Sequence, residues 1–155
     1  LWHELYRIPN SFQDNHSESK SICFNTTAEY AVVKEGELSV TNTCTREESG
    51  KALSEVARAV ATVVDKNTNA KLLVNFTGLA VLRWVGIGDG DYWILGLGPV
   101  NKKNQYAWAV VGSPSRKYGW ILARDRKLPD SELSSAFSVV EAQGYLRSQF
   151  VSAQR

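Results

Sequence analysis

Leu1-Trp2-His3-Glu4-Leu5-Tyr6-Arg7-Ile8-Pro9-Asn10-Ser11-Phe12-Gln13 opens the chain, and Tyr118-Gly119-Trp120-Ile121-Leu122-Ala123-Arg124 stands far downstream. The first stretch starts a β-prone segment on a Trp; the second ends another on an Arg. Guanidinium stacks on indole by cation–π attraction, so Trp2 and Arg124 suit the narrow base of a closed barrel, which one flat ring and one flat cation can plug. Side chains alternate along a strand, which puts Trp120, Leu122 and Arg124 on one face. With Arg124 at the plug, Trp120 is expected to point inward above it.

Working outward, alternating or β-branched runs separated by turn residues recur at short intervals, the pattern of an antiparallel meander. Strands are expected near 2–8, 22–33, 38–45, 55–64, 70–76, 91–98, 105–112 and 118–124. Eight strands close a small up-and-down barrel with room for one ligand. Lys34-Glu35-Gly36-Glu37 and Asp65-Lys66-Asn67-Thr68-Asn69 mark two hairpins. The Ala-rich run at 56–64 has helical propensity, but its alternation ahead of a turn favours a strand. After the last barrel strand, a helix is expected over about 130–143, capped by Asp130 or Ser131 and stopped at Gly144. Leu133, Ala136, Phe137 and Val140 recur at spacings of three and four, giving it one apolar face for the barrel wall. A short final strand is expected near 148–152. The expected fold is therefore all-β: one domain over 1–155, with an eight-stranded barrel over about 2–124 and one C-terminal helix.

A chain of 155 residues holds one domain with a sizeable core. Eighteen basic and sixteen acidic residues leave a net charge of +2 without any Lys/Arg run, so nucleic acid is not an expected partner. Five Trp, six Tyr and five Phe with no Met supply rigid, wide aromatic surface, as a shaped cavity or an ordinary β core requires. No run approaches the roughly 18 unbroken apolar residues of a membrane-spanning helix.

The ordered set of motifs resembles the lipocalin family. Trp2-His3-Glu4 with Arg7-Ile8-Pro9 and Phe12-Gln13 is similar to its first signature, and Tyr118 to Arg124 followed by Leu128-Pro129 to its last. The branch is that of bacterial outer-membrane lipocalins, apolipoprotein D and plant temperature-induced lipocalins. Ala28-Glu29-Tyr30, the stretch 69–76, Asp91 to Leu95 and Tyr106 to Pro114 match the middle strands, so the likeness covers nearly the whole chain. Departures are His3 for the usual Tyr, Ala59 for a common Gly, and Gly96 to Pro99 where an acidic residue usually follows the strand.

The resemblance implies binding and carriage or storage of a small hydrophobic ligand, such as a fatty acid, lysolipid, retinoid or other isoprenoid, inside the barrel. It implies cavity positions for Trp93 and Tyr30; Trp108 on the neighbouring strand, Leu122 and Phe76 complete the expected lining with Trp120. Arg83 sits in Leu79 to Ile87, a long and unusually apolar loop. If Arg83 faces the mouth it could pair with a carboxylate or phosphate headgroup, and the loop could touch a membrane or a second copy. The family signature has a Gly before Trp2, so an N-terminal piece that was trimmed, left disordered or removed with a signal peptide is expected outside this chain; the resemblance implies an exported protein, periplasmic, outer-membrane-anchored or secreted. Three triplets, at Asn15, Asn25 and Asn75, fit the glycan acceptor pattern.

Cys23 and Cys44 are the only cysteines. Counting back from a tight turn at Glu35-Gly36 sets Cys44 opposite Thr27, leaving Cys23 four residues, about 13 Å, away. That forbids a bridge unless a bulge shifts the register. Exported lipocalins often place a Cys near each position, so the resemblance implies a Cys23–Cys44 disulfide.

Enzyme readings have less support. With two histidines, no His/Cys cluster and no phosphate-cradling Gly loop, neither a metal site nor a cofactor is expected. Cys23 lacks the basic neighbour that forms a thiolate. A lipocalin-type enzyme acting on a lipid or isoprenoid is the alternative, and a filled barrel serving as an interaction protein is the second.

Overall fold

A computed structural model of the chain describes residues 1–14, 22–77 and 90–155. The alternating segments become β1 (Trp2–Arg7), β2 (Phe24–Lys34), β3 (Glu37–Glu48), β4 (Lys51–Val63), β5 (Lys71–Thr77), β6 (Asp91–Leu97), β7 (Trp108–Gly112) and β8 (Gly119–Ala123). From β2 to β8 each strand pairs antiparallel with the next, and β1 closes the ring between β8 and β2. The expected eight-stranded barrel is therefore present. β1 starts and β8 stops at the base, with the turns at 34–37, 64–70 and 98–107; residues 8–14 and the turns at 49–50 and 113–118 lie at the opposite end, the mouth.

The Ala-rich run is strand throughout, paired with β3 from Glu37↔Thr62 to Glu48↔Lys51. β4 starts four residues before its expected position, because Ser49 and Gly50 adopt φ of 51° and 74° and make a two-residue hairpin loop that lets pairing continue to the turn.

Two departures from regular pairing shape the mouth. On β1 the register with β8 shifts between Glu4↔Leu122 and Tyr6↔Ile121, so one extra residue is absorbed. Leu5 and Tyr6 thereby both pack outward against the helix layer, while Glu4 and Arg7, three apart, face the same interior side. On β2 the register with β3 shifts twice, between Val32 and Lys34 and between Phe24 and Thr27. Each slip carries Cys23 one residue nearer to Cys44, and Asn25, at φ 52°, folds the strand end inward. The Cα atoms come to 5.6 Å and the Cys23–Cys44 disulfide forms. Thr27 does not stand opposite Cys44 as expected; it pairs with Thr43.

A four-residue helix α1 (Ser11–Asp14) follows β1 with Asn10 as its cap, the Asn10 Oδ1 accepting from Gln13 N at 2.9 Å. Helix α2 (Asp130–Ala142) lies over β6 and β7. Asp130 is its first residue rather than its cap: Pro129 precedes it and no side chain caps the start. At the other end Gly144, at φ 83°, closes the helix with Tyr145 N donating to Val140 O and Gly144 N to Glu141 O. Ala136, Phe137 and Val140 bury between α2 and the outer wall with Trp108, Val110, Ile121 and Phe150. Gly96 is required there, since a Cβ on it would sit 2.7 Å from Val139. The final strand β9 (Val151–Ser152) pairs with β1, and Asn25 N donates to Ala153 O, so the tail spans the gap where β1 parts from β2.

Candidate functional site: the barrel cavity

Inward residues of facing strands make two interior clusters. Ala57, Ala109, Val111, Trp120 and Leu122 pack with Trp2, Phe76 and Tyr92; Val40, Ala59, Ala61 and Leu72 pack lower, with Tyr30, Val74 and Ile94. Between them lies a pocket of about 660 Å³ between atoms, mouth included, whose freely open core is about 60 Å³. Tyr30, Val40, Phe76, Tyr92, Trp120 and Leu122 supply its apolar wall, and Glu4, Gln13, Thr26 and Asn42 its polar part.

Of the residues singled out in the sequence, Trp120, Leu122, Tyr30 and Phe76 face this space. Trp120 is stacked between Tyr118 (ring centroids 6.1 Å apart) and Tyr92 (6.3 Å), and its Nε1 donates to Gln13 Oε1 at 3.2 Å. Trp93 and Trp108 are not brought there. Parity decides both. Tyr92 and Ile94 point inward, which sends Trp93 outward under the Lys71 ammonium, 4.5 Å from its ring centroid. Ala109 and Val111 point inward, which sends Trp108 into the layer under α2. Arg83 and the loop Leu79 to Ile87 lie outside the described residues.

Sequence reading passed over Tyr92, Glu4, Gln13, Thr26 and Asn42. Tyr92 was within reach, since the Asp91-Tyr92-Trp93 run offers two aromatics of opposite parity. The polar residues carried no comparable mark.

At the base, the Arg124 guanidinium stands 3.8 Å from the Trp2 ring centroid and its Nη1 donates to Leu1 O at 2.9 Å. Burial lowers the Arg124 pKa. At the mouth, Arg7 is almost wholly buried; its Nη1 donates to Glu4 Oε1 at 2.8 Å, its Nε to Asp14 Oδ2 at 3.0 Å and its Nη2 to Cys23 O at 2.8 Å. Gln13 Nε2 donates to the other Glu4 oxygen at 2.9 Å, and Asn10 Nδ2 donates to Gln13 Oε1 at 2.8 Å. Desolvation raises the Glu4 pKa, opposed by the Arg7 charge and the Gln13 hydrogen bond. Arg46 ties this cluster to β4, its Nη1 reaching Gln13 O at 3.4 Å and its Nε Glu55 Oε2. Lower in the cavity the Tyr30 and Tyr92 hydroxyls share a hydrogen bond of 2.7 Å. Burial pushes the Tyr30 phenol up to about 12 and the Tyr92 phenol well above its ordinary value. Among the described residues no group of three or more His, Cys, Asp or Glu could hold a metal ion, and no helix is long and apolar enough to cross a membrane.

A family domain described as Lipocalin-like matches residues 1–155. The chain is 28% identical over 145 residues to temperature-induced lipocalin-1 of Arabidopsis thaliana, covering 93% of this chain and 69% of that protein. It is 27% identical over 154 residues to the outer membrane lipoprotein Blc of Vibrio cholerae, covering 99% and 78%. Lobster apocrustacyanin A1 superimposes with a TM-score of 0.65 at 12% identity, over 99% of this chain and 75% of that one, a likeness of fold alone. The domain match runs the length of a barrel sealed at its base by indole and guanidinium, and the chain belongs to the lipocalin family.

Proposed function

We propose that this lipocalin binds and carries or stores a small hydrophobic molecule of the fatty acid, lysolipid, retinoid or isoprenoid kind in its barrel. The observation that supports this reading best is the cavity itself, walled by Trp120, Tyr92, Tyr30, Phe76 and Leu122 and shut at one end by the Trp2–Arg124 plug. Apolar burial is worth about 25 cal/mol per Å², so a ligand hiding some 300 Å² gains roughly 7 kcal/mol before ordering costs. The freely open core of about 60 Å³ is smaller than any such ligand, so binding requires the aromatic wall to swing aside. The same figure favours a second reading, in which the barrel is filled by its own side chains and serves as an interaction protein.

We also propose export from the cytosol, supported by the Cys23–Cys44 disulfide, a bond that persists in oxidising compartments. The Vibrio cholerae relative named as an outer membrane lipoprotein points the same way.

Titration of intrinsic fluorescence with retinol and with a long-chain fatty acid tests binding. Saturable quenching is expected, with Trp120→Phe folding normally and binding about 1 kcal/mol more weakly. Silence toward every apolar compound would support the filled barrel instead, and turnover of the added compound would support an enzyme.

A further inference from the structure

The two cavity phenols have more hydrogen-bonding capacity than they use. Tyr30 and Tyr92 each carry one O–H, and a single 2.7 Å bond joins them. Whichever phenol donates, the other keeps a proton free to donate to a third group. Both rings face the cavity, and among the described residues the one hydrogen bond of their hydroxyls is to each other. An acceptor entering the cavity would satisfy that proton.

A second, independent observation lies on the same wall. Thr26 lines the cavity and is 4% exposed, and its Oγ1 has no hydrogen-bond partner among the described residues. Buried hydroxyls are nearly always paired, so an orphan facing a cavity marks a place where a polar atom is expected. Thr26, Ala28 and Tyr30 alternate inward along β2, and Asn42, also lining the cavity, stands opposite Ala28. Hydrogen-bonding groups thus run down one wall for four residues of strand, about 13 Å. Val40, Val74, Phe76 and Leu122 give the rest of the lining its hydrocarbon.

Charge decides what kind of polar atom fits. Among the described residues lining the cavity there is no Lys or Arg, and two, Glu4 and Asp91, are acidic. The nearby Arg7 is already divided between Glu4 and Asp14, so it is not free to receive an anionic headgroup. An anionic headgroup brought in would meet like charge at low dielectric. Taking the barrel as a ligand carrier, as proposed above, we infer that its occupant is a neutral oxygenated apolar molecule, an alcohol or a ketone, received by the Tyr30–Tyr92 pair and Thr26 rather than a carboxylate. Because burial raises both phenols, they stay protonated donors at neutral pH.

The test titrates the full chain at pH 8 with 1-dodecanol, 2-dodecanone and dodecanoate, which share one hydrocarbon length and differ in the headgroup. The alcohol and the ketone are expected to bind about tenfold more tightly than the acid, the order of one or two buried hydrogen bonds. Tyr30→Phe/Tyr92→Phe removes both partners of the bond with apolar isosteres, a change that is close to neutral for folding; it should erase that margin, so that the three compounds bind the variant alike. Equal or tighter binding of dodecanoate by the native chain overturns the inference while leaving the carrier reading intact, and so does a margin that survives in the double variant. If none of the three compounds binds, the carrier reading falls, and the inference with it.

Discussion

The base and the mouth of this barrel are closed by different physics. At the base, strands taper until one indole and one guanidinium fill the opening, and the Trp2–Arg124 contact sits at the protein–water boundary, where Arg124 remains partly exposed. At the mouth, the segment after β1 crosses back over the cavity, and its polar groups must be met inside the protein. Arg7, Glu4, Asp14, Gln13 and Asn10 form one connected set of hydrogen bonds there, the Cys23–Cys44 bond holds the start of β2 beside it, and the chain tail bridges β1 and β2. A stacked cation at a wet edge contributes modestly. A buried charge set adds little net stability when whole and is expensive to break, because each partner removed strands another in low dielectric.

The largest expected effect is therefore at the mouth. Arg7→Met leaves two carboxylates facing each other without their cation and should cost about 3–5 kcal/mol of stability, read as a fall in the denaturant midpoint. Next comes Cys23→Ser/Cys44→Ser: the bridge joins residues 21 apart, and opening a loop of that length costs about 3 kcal/mol in the chain-entropy account. Arg124→Ala at the base should cost only about 0.5–2 kcal/mol and spare ligand affinity. If Arg124→Ala proves more damaging in melting experiments than Arg7→Met, the contrast between the two ends is wrong.

The smallest effect concerns pH. Burial raises the folded-state pKa of Glu4 above 4.5, so on raising the pH the unfolded chain gives up this proton before the folded one. Between those two values the folded state holds more protons, and stability falls as pH rises. Glu4→Gln should remove that decline whatever its constant offset. Parallel stability–pH curves for the native chain and this variant, from pH 4 upward through neutrality, would show that Glu4 titrates as it does in water.

Most of the barrel was legible because β periodicity is local. Strand parity along Trp120-Ile121-Leu122 gave the inward face of β8, and the apolar spacing of Leu133, Ala136, Phe137 and Val140 gave the buried face of α2. Trp93 and Trp108 rested on other grounds, the family position of the first and the neighbouring strand of the second; parity with inward Tyr92 and Ile94, and with inward Ala109 and Val111, turns both rings outward.

The sequence by itself determined the closed meander, its C-terminal helix and the plug, since alternation, turn residues and a Trp–Arg pair act through short-range geometry or motif spacing. Tertiary structure alone decided the mouth. One extra residue in β1 turns Glu4 and Arg7 onto the same face, and two slips in β2 bring Cys23 to Cys44; a one-residue shift reverses every later side chain. Such slips cost little locally and are fixed by what they allow to pair at a distance, here a buried ion pair, a disulfide and the hydroxyls of Tyr30 and Tyr92, sixty-two residues apart in the chain and 2.7 Å apart in the cavity.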